Sequence, residues 1–205
     1  MVKVKICGIT NKEDALQAAG AGCDALGFLF YSKSPRYIRP ARVKEIVSVL
    51  PETVKTVGVF VNAREKTIRT IVSLCNLDFV QLHGKESAGF CERLKDLRVI
   101  KTFRVKDTID AVRLKRYKSC FAFLFDTYVP SQPGGTGKTF NWELVRHLQG
   151  IDKPIFISGG LSCKNVTKAV SLSHPDWVDV SSSLETRPGK KNHEQVSCFI
   201  KKIKN

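Results

Sequence analysis

No stretch of this chain is apolar for long enough to form the core of a signal peptide or a membrane span; residues 1–9 instead alternate lysine with apolar side chains. A cytoplasmic protein without a membrane partner is expected. The seven cysteines are odd in number and no two stand in a C-x-x-C pair, which argues against a disulfide framework or a structural zinc site. Most lie in apolar stretches, where cysteine behaves as a small buried hydrophobe. Pro/Gly-rich linkers and breaks in composition are also missing. A chain of 205 residues with 42% hydrophobic content therefore reads as one domain, 1–205.

Acidic residues are scarce, 19 Asp and Glu against 34 Lys and Arg, for a net charge of +15. That balance suits a nucleic-acid surface, an anionic substrate or a solvated exterior. The cations are spread along nearly every expected helix, with dense runs only at Lys190 with Lys191 and at Lys201, Lys202 and Lys204. No basic stripe carries the interleaved aromatics of a single-strand binder. Most of the charge is expected on solvated surface, with no nucleic-acid partner.

What is present is a repeat of short β-branched runs and amphipathic segments. Strands are expected at 2–6, 25–30, 53–61, 79–82, 99–103, 121–125, 154–157 and 177–180, and helices between them, for example at 12–21, 41–50, 66–75 and 165–172. Runs such as ALGFLF and FAFLF are apolar at almost every position, as parallel strands covered on both faces require. Eight βα units point to a closed (β/α)8 TIM barrel rather than an open doubly wound sheet.

In such a barrel the chemistry belongs at the C-terminal strand ends. Those ends carry Cys7, the SPR segment with Arg36, Gln81 and His83, Asp126, Ser158 with Gly159 and Gly160, and Asp179 with Ser181, Ser182 and Ser183. Glycines let backbone N–H groups approach an anion, so the segments after strands seven and eight are candidate phosphate loops; two tight turns of small residues are the alternative. QPGGTGKT at 132–139 approaches the phosphate loop of nucleotide-binding proteins but has Gln132 where the first glycine belongs. Its Gly134, Gly135 and Gly137 suit a flap over the site, or a surface loop without function.

Asp126 ends a wholly apolar strand, where burial favours the protonated acid that a general acid needs; the alternative is an Asp that hydrogen-bonds its own loop. Cys7 is placed to face the barrel mouth. A free thiol ionises near about 8.5, so work as a base needs positive potential from helix N-termini or Arg36; a buried spectator is the alternative. Arg36 can grip a carboxylate with two parallel hydrogen bonds, unless it is simply a surface arginine. Gln81 and His83 can orient a polar substrate, or His83 can bind backbone groups. No second histidine or carboxylate stands at ligand spacing, so there is no case for a metal.

Taken together, KICGIT at 5–10, GFLFYSKSPRYI at 27–38, VGVFVN at 57–62, QLHG at 81–84, GGTGKTFNW at 134–142, SGGL at 158–161 and VDVSSSLE at 178–185 resemble the phosphoribosylanthranilate isomerase family from end to end. The resemblance implies a barrel enzyme of tryptophan biosynthesis that performs an Amadori rearrangement of a small phosphorylated substrate with no cofactor, as a monomer or homodimer. It places Cys7 as general base, Asp126 as general acid, Arg36 on the anthranilate moiety, and Gly159, Gly160 and Ser181 to Ser183 on the phosphate. Asn141, Ser158, Cys163 and Ser183 depart from the usual family pattern. Of these Ser183 matters most, because a serine where glycine's positive φ is needed would strain or reshape the phosphate turn. Two other readings remain: an isomerase of relaxed specificity that also serves histidine biosynthesis, against which Cys7 stands where that family uses aspartate, and a catalytically inactive basic barrel acting as a binding protein.

Overall fold

The structure is a computed structural model that describes residues 1–127, 139–148 and 151–204. Eight strands close into a parallel barrel in sequence order: β1 (Lys3–Cys7), β2 (Ala25–Leu29), β3 (Lys55–Phe60), β4 (Phe79–Leu82), β5 (Val99–Val105), β6 (Ala122–Thr127), β7 (Ile155–Ile157) and β8 (Trp177–Val180). Closure comes from β8 pairing with β1, with Asp179 in register with Lys5. The helices between them are α1 (Lys12–Gly20), α2 (Pro40–Val47), α3 (Glu65–Cys75), α4 (Ala88–Arg93), α5 (Ala111–Lys115), α6 (Glu143–Arg146) and α7 (Val166–Ser173). The expected (β/α)8 TIM barrel is the fold. Strand edges moved by a few residues; β6 runs through Asp126 to Thr127 rather than stopping before it. No helix among the described residues is long and apolar enough to cross a membrane.

Side chains of a strand alternate between the barrel interior and the surrounding helices. One apolar cluster, with Ala25, Val57, Phe79, Ile100, Ala122, Leu124, Phe156 and Trp177, fills the lower interior, where Phe156 and Trp177 stack at 4.8 Å. The residues of opposite parity, such as Val4, Ile6, Leu26 and Phe28, join the larger cluster beneath the helices. Cys23, Cys75, Cys91 and Cys120 are buried, as their apolar surroundings foretell, and burial pushes the Cys23 thiol up to about 12. Toward the C-terminal strand ends the interior turns polar.

Beyond β8 the chain makes a short 3-10 turn at Ser182–Leu184, a hairpin of β9 (Glu185–Arg187) and β10 (Lys190–Lys191), and the final helix α8 (His193–Lys204). Gly189, at φ 82°, turns the hairpin. The hairpin is moored to α1 by Asp14, whose carboxylate accepts the Lys191 N–H at 2.8 Å and lies 2.8 Å from His193 Nε2. Most of the charge was expected on solvated surface, and Lys191 is an exception to it. Lys191 is folded inward with a fully buried side chain, and its Nζ meets Glu185 at 2.9 Å. Lys5 and Lys101 are buried as well, each against a carboxylate at 2.7 Å, Asp179 and Glu86 respectively. An ammonium can leave water only when an opposite charge compensates it, and a count of cations along the chain does not show which ones have partners.

The Lys101 and Glu86 pair fixes the end of β4. Glu86 accepts N–H groups from Asn62 at 2.8 Å and Gly84 at 3.0 Å, while Lys101 donates to the carbonyls of Leu82 at 3.2 Å and Gly84 at 2.9 Å. His83 is thus held from both flanks. Replacing Glu86 with alanine strands the Lys101 ammonium in the interior and should cost about 3–5 kcal/mol of folding stability. Urea unfolding of Glu86→Ala measures this, and a loss within about 0.5 kcal/mol of wild type, the range of an ordinary surface substitution, would contradict it.

Candidate active site

The polar end of the interior opens into a cavity of about 450 Å³. Cys7, Arg36, Gln81, His83, Asp126 and Asp179 all reach its wall, together with Gly159, Gly160 and the three serines 181, 182 and 183. The sequence reading therefore picked residues that fold to one place. Gly134, Gly135 and Gly137 lie outside the described residues.

Asp126 is held at the end of β6, 4% exposed. Its Oδ1 accepts the Thr127 N–H at 2.9 Å, and its Oδ2 lies 3.2 Å from His83 Nε2, off the line of a hydrogen bond. Gln81 orients that imidazole. Its Nε2 lies 3.0 Å from His83 Nδ1, which leaves Nε2 of the ring on the side of the carboxylate. Within the described residues the buried atoms Gln81 Oε1, His83 Nε2 and Ser181 Oγ have no hydrogen-bond partner. Buried polar atoms without partners are uncommon, and three around one cavity suit a polar ligand.

Cys7 ends β1, and two lysines the sequence reading did not single out stand behind it. Lys5, two residues earlier on the same side of the strand, is fully buried beneath the thiol and pairs with Asp179 Oδ1 at 2.7 Å. Lys191 reaches in from the hairpin and donates to the Cys7 carbonyl at 2.6 Å and the Ser181 carbonyl at 3.2 Å. Burial pushes the Cys7 thiol up, Lys5 pulls it down, Asp179 pushes it up again and Lys191 pulls it down; the balance lies above the usual thiol value. Burial likewise lowers Lys5, but Asp179 and Cys7 outweigh it and leave the ammonium more firmly protonated.

Arg36 does not supply the potential at Cys7 that was expected of it. Its Nε and Nη2 grip Glu185 at 2.9 Å and 2.7 Å, and the same carboxylate takes Lys191. Nη1 takes no part in that grip, and Arg36 lines the cavity. Two glycines create the room for this packing: a Cβ on Gly27 would lie 2.7 Å from Cys7 Sγ and 3.1 Å from Lys5 Nζ, and one on Gly8 would lie 2.8 Å from both Arg36 Cδ and Ser181 Oγ. The signal for Lys5 was in the sequence. KVKIC alternates strictly, so period two places Lys3, Lys5 and Cys7 on one side of the strand.

At the opposite end of the wall, Gly159 and Gly160 take φ values of 86° and 64°. Asn165 fastens the loop, donating to the Gly160 carbonyl at 2.9 Å and accepting the Ser162 N–H at 2.8 Å. Ser183 does not carry the strain expected of it. It has no positive φ, lies in the 3-10 turn, and donates its hydroxyl to the Leu161 carbonyl, so that it ties the two glycine and serine loops together.

Gly159 cannot be replaced without cost, because an added Cβ would sit 2.6 Å from the Thr127 nitrogen and 2.8 Å from Asp126 Oδ1 at a left-handed φ. For Gly159→Ala we expect a loss of about 1–3 kcal/mol in stability from the backbone alone. Thermal unfolding measures it; an unchanged Tm would contradict the placement of this loop against Asp126.

A sequence profile of the family described as N-(5'phosphoribosyl)anthranilate (PRA) isomerase matches residues 4–202. The N-(5'-phosphoribosyl)anthranilate isomerase of Geotalea uraniireducens is 48% identical, over 100% of this chain and 99% of its own. The crystal structure of phosphoribosyl anthranilate isomerase from Thermotoga maritima superposes with a TM-score of 0.93 at 43% identity, covering 100% of this chain and 99% of that one. A phosphoribosyl anthranilate isomerase solved in complex with reduced 1-(o-carboxyphenylamino)-1-deoxyribulose 5-phosphate superposes at 0.89 with 40% identity, again over 100% and 99% of the chains. On the match to its full length and the identity it shares with these relatives, the chain belongs to the phosphoribosylanthranilate isomerase family.

Proposed function

We propose that the barrel mouth converts N-(5-phosphoribosyl)anthranilate to 1-(2-carboxyphenylamino)-1-deoxyribulose 5-phosphate, the family's step in tryptophan biosynthesis, with Asp126 as acid and Cys7 as base. The observation that carries the assignment is their shared cavity: a carboxyl at the end of β6 and a thiol at the end of β1 both face the space between the other strand ends. Asp126 gives its proton to the ribose ring oxygen as the anthranilate nitrogen pushes the ring open to a protonated Schiff base. That cation acidifies the C2 hydrogen, and the Cys7 thiolate removes it to give an enolamine. Ketonisation, with loss of the C2 hydroxyl proton and protonation at C1, gives product. Aligning acid and base on one bound conformer removes most of the entropic barrier to their concerted use.

The remaining wall serves binding. Arg36, with Nη1 free of Glu185, suits the anthranilate carboxylate, and Gln81, His83 and Asp179 suit the sugar hydroxyls. Gly159, Gly160 and the 181–183 turn offer backbone N–H groups and hydroxyls to the phosphate, as loops after the seventh and eighth strands of barrels do. Ser183 joins those loops through the Leu161 carbonyl, so the phosphate meets one preorganised unit. Residues 1–205 act in this reading as one cytoplasmic domain, monomeric or homodimeric, whose partner is the phosphorylated substrate.

A direct assay that follows consumption of N-(5-phosphoribosyl)anthranilate tests the activity; absence of turnover by well-folded protein, or equal efficiency on the histidine-pathway aminoaldose, would contradict it. Cys7→Ser and Asp126→Asn should each lower kcat by about 10²–10⁴-fold, the usual scale of a general acid or base. Binding of a reduced product analogue should change little, because neither group is used to hold the ground state. Near-normal turnover in either variant would remove that residue from its role.

A further inference from the structure

A buried thiol whose proton is held more tightly than usual is a poor base, and the barrel interior contains what is needed to adjust it. We infer that Lys5 and Asp179, paired inside the barrel one layer below Cys7, act as a charge couple that sets how much of Cys7 is thiolate. This rests on the assignment of Cys7 as the base. Lys5 is a positioning residue: it acts through the thiol, not on the substrate.

Three observations support it. Lys5 and Cys7 stand two positions apart on one strand and face the same interior, and the Gly27 backbone makes room for both, its absent Cβ lying 3.1 Å from Lys5 Nζ and 2.7 Å from Cys7 Sγ. Lys5 is fully buried, so its charge acts on the thiol without the screening that a surface lysine suffers. Its one hydrogen-bonded partner among the described residues is Asp179 Oδ1 at 2.7 Å, which leaves ammonium protons for the sulfur. Asp179 is held in turn by the Ser158 hydroxyl at 3.2 Å on its other oxygen, and by register with Lys5 across the closing strand pair.

The groups around the thiol have opposing signs. Lys5 from β1 and Lys191 from the hairpin favour the thiolate, and Asp179 from β8 opposes it. Arg36 and Glu185 lie beside Gly8, where they neutralise each other. Asp126 and His83 line the same cavity as Cys7. Lys5 and Asp179 thus act on the sulfur with opposite signs.

The test is the pH dependence of Cys7 alkylation by iodoacetamide in the folded enzyme, read by mass spectrometry on the peptide that contains Cys7 so that the other cysteines do not contribute. Lys5→Met should move the midpoint to higher pH, and Asp179→Asn should move it to lower pH, because the amide keeps a hydrogen bond to Lys5 while removing the opposing charge. The rising limb of kcat should move in the same directions, so that Lys5→Met loses about tenfold or more at neutral pH and recovers as the pH is raised. A purely structural role for Lys5 would lower activity at all pH values and leave the midpoint in place, which overturns the inference. Should Lys5→Met fail to fold, Asp179→Asn decides alone: a downward shift supports the couple, and an unmoved midpoint overturns it. Alkylation midpoints that shift while the kcat profile does not would uphold the couple and remove Cys7 as the base, so the two claims fail separately.

Discussion

The site depends on compensation of charge inside a barrel that is otherwise packed with hydrocarbon. Taking an ammonium or a carboxylate out of water costs several kcal/mol unless a partner of opposite sign is within contact. Lys5 with Asp179, and Lys191 and Arg36 with Glu185, meet that requirement around the end of β1. The Lys5–Asp179 and Arg36–Glu185 pairs also join distant parts of the chain. Lys5 and Asp179 lie on the first and last strands and so help to close the barrel, while Glu185 draws the loop after β2 and the C-terminal hairpin toward Gly8.

That arrangement places function at one end of the molecule and packing at the other. The lower interior is filled by Phe79, Ile100, Phe156 and Trp177. One layer up, Lys5, Asp179, Gln81 and Thr102 replace apolar side chains, and above them stand Cys7, His83 and Asp126. Glycine is used where two polar groups must come closer than a Cβ would allow: Gly27 beside the thiol and the ammonium, Gly159 beside the Asp126 carboxyl. Polar groups in this wall are oriented by other polar groups, as Gln81 orients His83, so the reacting atoms are set before a ligand arrives.

Much of this was legible in the sequence. The buried parallel strands show up as short β-branched or apolar runs, and Cys7 and Asp126 stand out because each ends a strand with a reactive group. The buried lysines were harder to see. Lys5 had a readable signal, its parity with Cys7, but it was obscured by the general rule that lysine is solvated. Lys191 had none, because its burial depends on a hairpin turn and on Glu185 and Asp14, which come together only in the folded chain. The strain expected at Ser183 and the potential expected from Arg36 were both inferred from residue type. In the fold a serine in a 3-10 turn needs no positive φ, and an arginine gripped by Glu185 is already neutralised.

The central claim is that Cys7 removes the C2 hydrogen of the substrate, and the fate of that hydrogen tests it most directly. With deuterium at C2, single turnovers of the wild-type enzyme should show a primary isotope effect and release of the label from C2. Cys7→Ala should bind the same substrate and retain the label at C2. Loss of the label at the wild-type rate from protein without the thiol would contradict the account.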